Sequence, residues 1–172
     1  VVEGVTLSLD GGESAHDAQR GAGSWARTIA GARAAIEAGL PVALHCLLTR
    51  GSVHDVDRVL DAAGLLGVSV GFAPVEEVPA MGKRDLGPLK PRPSELRAVL
   101  RRLRHAKAGG DNRIQNSEAG LAYLENWPIY APIRCSAGLV YARIEPDGRT
   151  FGCGNLVQAS GSSLAEHSFE EV

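Results

Sequence analysis

Residues 5–12, Val5-Thr6-Leu7-Ser8-Leu9-Asp10-Gly11-Gly12, alternate apolar and polar side chains and stop at two glycines. A period of two puts Val5, Leu7 and Leu9 on one face of a strand and Thr6, Ser8 and Asp10 on the other. From Ser24 the apolar positions Trp25, Ile29, Ala32 and Ile36 fall at helical intervals and end at Gly39. The unit then repeats. Val42 to Thr49 reads as a strand, Ser52 with Asp55 offers a capping box ahead of Val53, Val56 and Leu60, and Val68 to Ala73 reads as a third strand. Strands alternating with helices of this length pair in parallel through right-handed crossovers, in a doubly wound sheet or a β/α barrel. The expectation for residues 1–74 is three parallel strands joined by two helices, with Thr6, Ser8, Asp10, His45 and Thr49 on the concave side. Three strands alone leave two open edges, so the pattern calls for neighbouring strands.

Beyond Phe72 the composition changes, with Pro74, Pro79, Pro88, Pro91 and Pro93 scattered through a long loop. Leu96, Val99, Leu100 and Leu103 mark another helix, ended by Gly109-Gly110, and a short helix carries Leu121 and Leu124 ahead of Trp127-Pro128. The period then returns to two. Leu139 to Ile144, a Pro146-Asp147-Gly148 turn and Arg149 to Cys153 predict a β-hairpin. The chain is therefore read as an α/β part over residues 1–108, a linker with a short helix over 109–132, and a small hairpin module over 133–172.

The 172 residues, 44% hydrophobic and 22% charged, suit an ordinary globular domain with one core and a small appendage. A net charge of -2 supplies no basic field for nucleic acid or anionic lipid. The densest basic stretch, Arg97 to Lys107, falls on an amphipathic helix and reads as a solvated face. No apolar run approaches the roughly 20 residues that span a bilayer, and no signal-peptide pattern opens the chain, so a cytoplasmic location without membrane contact is expected. Three widely spaced cysteines, none in C-x-x-C, argue against a disulfide framework and favour reduced thiols. Cys46 belongs to the outward set with Val42, Leu44 and Leu48 and reads as a buried core thiol. His45 and Thr49 share the opposite face. His16, His54, His105 and His167 read as surface or capping residues.

A polar row inside a barrel makes sense where a polar ligand is held at the C-terminal strand ends. Here the motifs become specific. Leu7-Ser8-Leu9-Asp10-Gly11, His16-Asp17, Arg20-Gly21 and Gly23-Ser24 resemble the fourth strand and following helix of radical S-adenosylmethionine (SAM) enzymes, in which S-[IL]-D-G and H-D-x-x-R-G recur at this spacing. Gly39-Leu40-Pro41-Val42, Leu48-Thr49-Arg50 and Leu66-Gly67-Val68 resemble that family's fifth and sixth strands. The resemblance implies that Ser8 and Asp10 lie beside the SAM ribose and methionine moiety. It also puts Thr49 to Ser52 at the post-strand site where the family often has an asparagine and this chain has Ser52. His16 takes a structural part in this reading, with Asp17 and Arg20 fixing the start of the following helix.

Cys135, Gly148 and Cys153 are spaced C-x12-G-x4-C, which resembles the opening of a SPASM or twitch module. In such a module a hairpin supplies thiolates to an auxiliary [4Fe–4S] cluster. The C-x3-C-x2-C motif of the SAM-reducing cluster does not occur in these residues. The chain is accordingly read as an internal-to-C-terminal piece of such an enzyme, inactive alone. The resemblance implies a peptide, protein or small-molecule substrate, with a peptide or protein in maturation the favoured class, and an electron donor such as flavodoxin or ferredoxin. From the residues alone a second class stays open, a non-catalytic α/β binding module whose cysteines are structural or hold zinc. A phosphate-binding barrel resting on Gly11-Gly12 is a third.

Overall fold

The computed structural model describes residues 3–76, 86–130, 143–152 and 163–168. The chain divides into two compact units, residues 1–75 with 86–131 and residues 76–85 with 132–172. The first unit holds a parallel sheet in the order β1 (Val5–Ser8), β2 (Val42–Leu48), β3 (Ser69–Pro74). The register sets Ser8 beside His45 and His45 beside Gly71, with Leu7, Leu44 and Val70 in the adjoining row. The alternation expected from the sequence fixes the two faces. Leu9, Leu44, Cys46, Leu48, Val70 and Phe72 pack into one core with the helices, whereas Thr6 is exposed and Ser8, Ala43 and His45 are half-buried on the other face. Each fully buried Leu or Phe of that core contributes about 2 kcal/mol by leaving water.

The connection from β1 to β2 departs from the expected single helix. It contains two, α1 (Glu13–Arg20) and α2 (Ser24–Glu37), so three helices rather than two join the strands. α1 escapes the apolar pattern because the side chain it buries is His16. Its start is set by Gly11-Gly12. Gly11 has φ 111°, and a Cβ on it would stand 2.9 Å from that of Ala15, so only glycine allows the strand to turn this tightly into the helix. α2 begins after Gly23, which lies at φ 71° and has no side chain to cap the first amides. Asp17 supplies the cap from α1, its Oδ2 accepting from Gly23 N at 2.6 Å and its Oδ1 from Trp25 N at 2.8 Å. The Asp17 part of the expected helix start is thus seen, and the Trp25 amide, with Gly23, holds the carboxyl below the ordinary carboxylate range.

α3 (Val56–Leu66) follows β2, and its apolar face of Val56, Val59, Leu60 and Ala63 is buried. The expected capping box does not form. Ser52 and Asp55 turn their oxygens elsewhere, toward Thr49 and Leu47 and toward Gly12 respectively. A 3-10 turn at Gly87–Leu89 leads into α4 (Pro93–Ala108), which buries Leu96, Leu100 and Leu103 and ends at Gly109. Its basic side chains are largely paired: Arg101 and Arg104 with Glu125, and Arg102 with Asp57.

After α4 the chain returns to the sheet edge. Val70 N donates to Arg113 O and Gln115 N to Val70 O, a parallel bridge centred on Val70 and Ile114. Asn116 then imitates the next backbone step, its Oδ1 accepting from Phe72 N at 2.7 Å and its Nδ2 donating to Phe72 O at 2.9 Å. α5 (Glu118–Leu124), capped by Ser117, buries Leu121. In the second unit β4 (Arg143–Ile144) pairs antiparallel with β5 (Thr150–Phe151) across a turn in which Gly148, at φ 82°, donates to Glu145 O. Residues 139–142 and 153, the remainder of the expected hairpin, lie outside the described residues.

Candidate functional site

The C-terminal ends of β1 and β2 are tied together by Asp10. This residue is wholly buried, and its Oδ1 accepts from Leu47 N at 2.8 Å, a position that a strand carbonyl would fill in a longer ladder. Its Oδ2 accepts from Gln19 Nε2 at 2.9 Å and pairs with Arg20 Nε, so α1 is bound to the strand end through both side chains. Arg20 therefore grips Asp10, while the start of α2 is left to Asp17.

Thr49 and Ser52 join the same network. Ser52 Oγ accepts from Thr49 N at 2.9 Å and donates to Leu47 O at 2.6 Å, turning the chain sharply after β2. Thr49 Oγ1 lies 3.0 Å from Gln19 Oε1, so one glutamine bridges Asp10 and Thr49. Both Thr49 and Ser52 are about 1% exposed. Around the outside of this junction runs a groove of about 680 Å³, lined by Ala15, Ala18 and Gln19 of α1, by Thr49, and by Asp55 and Arg58 across from them.

His16 lies beneath Asp10. It is fully buried rather than on the surface, and its Nδ1 accepts from Asp10 N at 3.0 Å. That bond places the ring proton on Nε2, which has no partner among the described residues. Burial pushes the imidazole below its ordinary pKa, with the Asp10 charge opposing and the Arg20 charge assisting. Cys46 is buried as expected, and burial raises its thiol well above the normal range. It is an inert core side chain.

Three of the sequence-selected site residues, Asp10, Thr49 and Ser52, are thus brought into one hydrogen-bonded cluster. Ser8 stands two residues before Asp10 on the sheet face opposite the helices, beside His45. Cys135 and Cys153 lie outside the described residues. Gln19 was not singled out by sequence reading, although it follows His16 by three positions and precedes Arg20. Its role depends on α1, whose helical character has no apolar signature. Among the described residues no group of three or more His, Cys, Asp or Glu could hold a metal ion. No described helix is long and apolar enough to cross a membrane.

The fold is shared with SuiB of Streptococcus suis, at a TM-score of 0.67 and 18% identity over 97% of this chain and 42% of that one. SuiB bound to S-adenosylmethionine aligns with a TM-score of 0.65 and 14% identity over 97% of this chain and 41% of its own. The chain therefore spans about two-fifths of the length of these structures, and at such identity the likeness is one of fold. No family model matches the chain, nor does any curated protein match it significantly.

Proposed function

We propose that residues 1–172 form the later strands of the α/β barrel of a radical SAM enzyme, followed by the start of an auxiliary iron–sulfur module. The observation that carries this reading is the cluster at the end of β1. The residues of the S-L-D-G and H-D-x-x-R-G motifs meet there, Asp10 bonding to His16 and Arg20, while Asp17 caps the start of α2. A SAM-bound protein of the same fold supports the cofactor assignment.

SAM would supply the reactive chemistry, reductive cleavage followed by hydrogen abstraction from the substrate, for which an electron donor such as flavodoxin or ferredoxin is proposed. The chain's own residues have two parts to play. Asp10, Thr49 and Ser52 are enclosed with their oxygens committed to protein donors and acceptors, so they set the height and spacing of the strand ends. Ser8, half-buried on the open face and without a side-chain partner among the described residues, is free to bond the SAM ribose or methionine moiety. Cys135 and Cys153 are proposed as thiolate ligands of the auxiliary cluster, with a peptide or protein as substrate.

The test is SAM affinity in the anaerobically purified full-length protein. Ser8→Ala removes one hydrogen bond of about 1 kcal/mol, so SAM should dissociate about fivefold more readily while the fold is unchanged. An unaltered affinity would remove Ser8 from the cofactor site.

A further inference from the structure

The polar side chains on the sheet face opposite the helices fall into two groups. Asp10 and Thr49 have their oxygens occupied at the strand ends, as described above. Ser8, His45 and Gln115 make no side-chain hydrogen bond among the described residues. Yet the register sets these three in one row. Ser8 lies beside His45, His45 beside Gly71, and Gln115 next to Gly71, because Gln115 N donates to Val70 O across the neighbouring bridge.

The geometry over Gly71 is specific. A Cβ built there would stand 3.2 Å from Gln115 Oε1 and 3.7 Å from His45 Cδ2, so carboxamide and imidazole converge on the space that the glycine leaves open. The neighbouring positions in the row below are small, Ala43 on β2 and Ser69 on β3, and in the row above Ala73 on β3 stands beside Leu47, the one longer side chain flanking the row along β2 and β3. An imidazole and a carboxamide each present both a donor and an acceptor, and no carboxylate or guanidinium lies between them. Such a pair discriminates against a full charge, which would enter without a counter-ion, and matches a group that itself donates and accepts.

From this we infer that His45 and Gln115 bind an uncharged amide of the substrate, a peptide bond or a carboxamide, over Gly71. The inference rests on the reading of this face as the reaction chamber. It places the substrate amide in the same row as Ser8, adjacent to the residue assigned to the cofactor.

The experiment follows the His45 ring nitrogens and the Gln115 side-chain amide by NMR in the full-length protein. N-acetylalanine methylamide is titrated as the probe, with acetate and methylammonium as charged controls. The neutral amide should shift both sets of signals saturably, and the two ions should not. His45→Phe and Gln115→Leu, at partly exposed positions, should each weaken the response about fivefold or more. Gly71→Ala should weaken it as well, by pushing Gln115 aside. Absence of a saturable shift, or an equal response to the ions, overturns the inference. If SAM itself shifts both groups and displaces the probe, the row belongs to the cofactor; the substrate assignment then fails while the proposed function stands. If the probe binds in the full-length protein but SAM binds nowhere, the proposed function fails instead.

Discussion

The Asp10 carboxylate is wholly enclosed yet meets donors from three places, the Leu47 amide, Gln19 and Arg20. Asp10→Asn keeps an oxygen for Leu47 but turns an N–H₂ toward Gln19 and Arg20, leaving donors facing donors. A loss of about 2 kcal/mol is expected, the cost of unmet buried groups moderated by the partly exposed Arg20, and a urea midpoint measures it. A midpoint equal to that of the parent would show that the network contributes nothing. His16 gives the residue scale a pH dependence. Its folded pKa lies below the ordinary 6.5, so the neutral ring is the form the fold holds. The stability this provides is complete above about pH 6.5 and is lost as pH falls through the folded pKa, when protonation of Nδ1 removes the acceptor for Asp10 N. His16→Asn keeps an acceptor near that position without titrating. Its stability should stay flatter below pH 6.5 than that of the parent, and parallel profiles would refute this role of the His16–Asp10 hydrogen bond.

At the scale of elements, the strands were legible because the period of two is written in their own residues. Leu44, Cys46 and Leu48 are buried while Ala43, His45 and Leu47 are only half-buried, as the alternation requires. α1 was not legible. Its inner side chain is a histidine whose partner is a backbone amide six residues earlier, so no apolar stripe announces it. Ser52 and Asp55 misled for a related reason. Their spacing suits a helix cap, but tertiary neighbours offered Leu47 O and Gly12 N, and the side chains went there. The edge segment around Ile114 was hidden by its shortness, because a single bridge has no period. Its hold on β3 depends on the paired hydrogen bonds of Asn116 with Phe72. Asn116→Ala should therefore cost about 1–2 kcal/mol and speed hydrogen exchange at the Phe72 amide ahead of its neighbours in β3. Exchange at Phe72 unchanged from the parent would mean that the asparagine is not part of the sheet.

At the scale of the whole molecule, the Ser8, Asp10, Thr49 and Ser52 positions could be named from sequence motifs, but their division of labour could not. Only the packing shows that the side-chain oxygens of Asp10, Thr49 and Ser52 meet protein partners while the polar side-chain atoms of Ser8, His45 and Gln115 meet none among the described residues, and the division of labour proposed above rests on that. On the proposed reading the 172 residues are part of a larger catalyst, since the C-x3-C-x2-C motif of a SAM-reducing cluster does not occur in them. The most direct measurement is 5′-deoxyadenosine formation, assayed by chromatography after incubation with SAM and dithionite under anaerobic conditions. The full-length reconstituted protein should form it and the 172-residue chain should form none. A full-length protein carrying its iron and sulfide yet yielding no 5′-deoxyadenosine, or turnover by the 172 residues alone, would contradict the account.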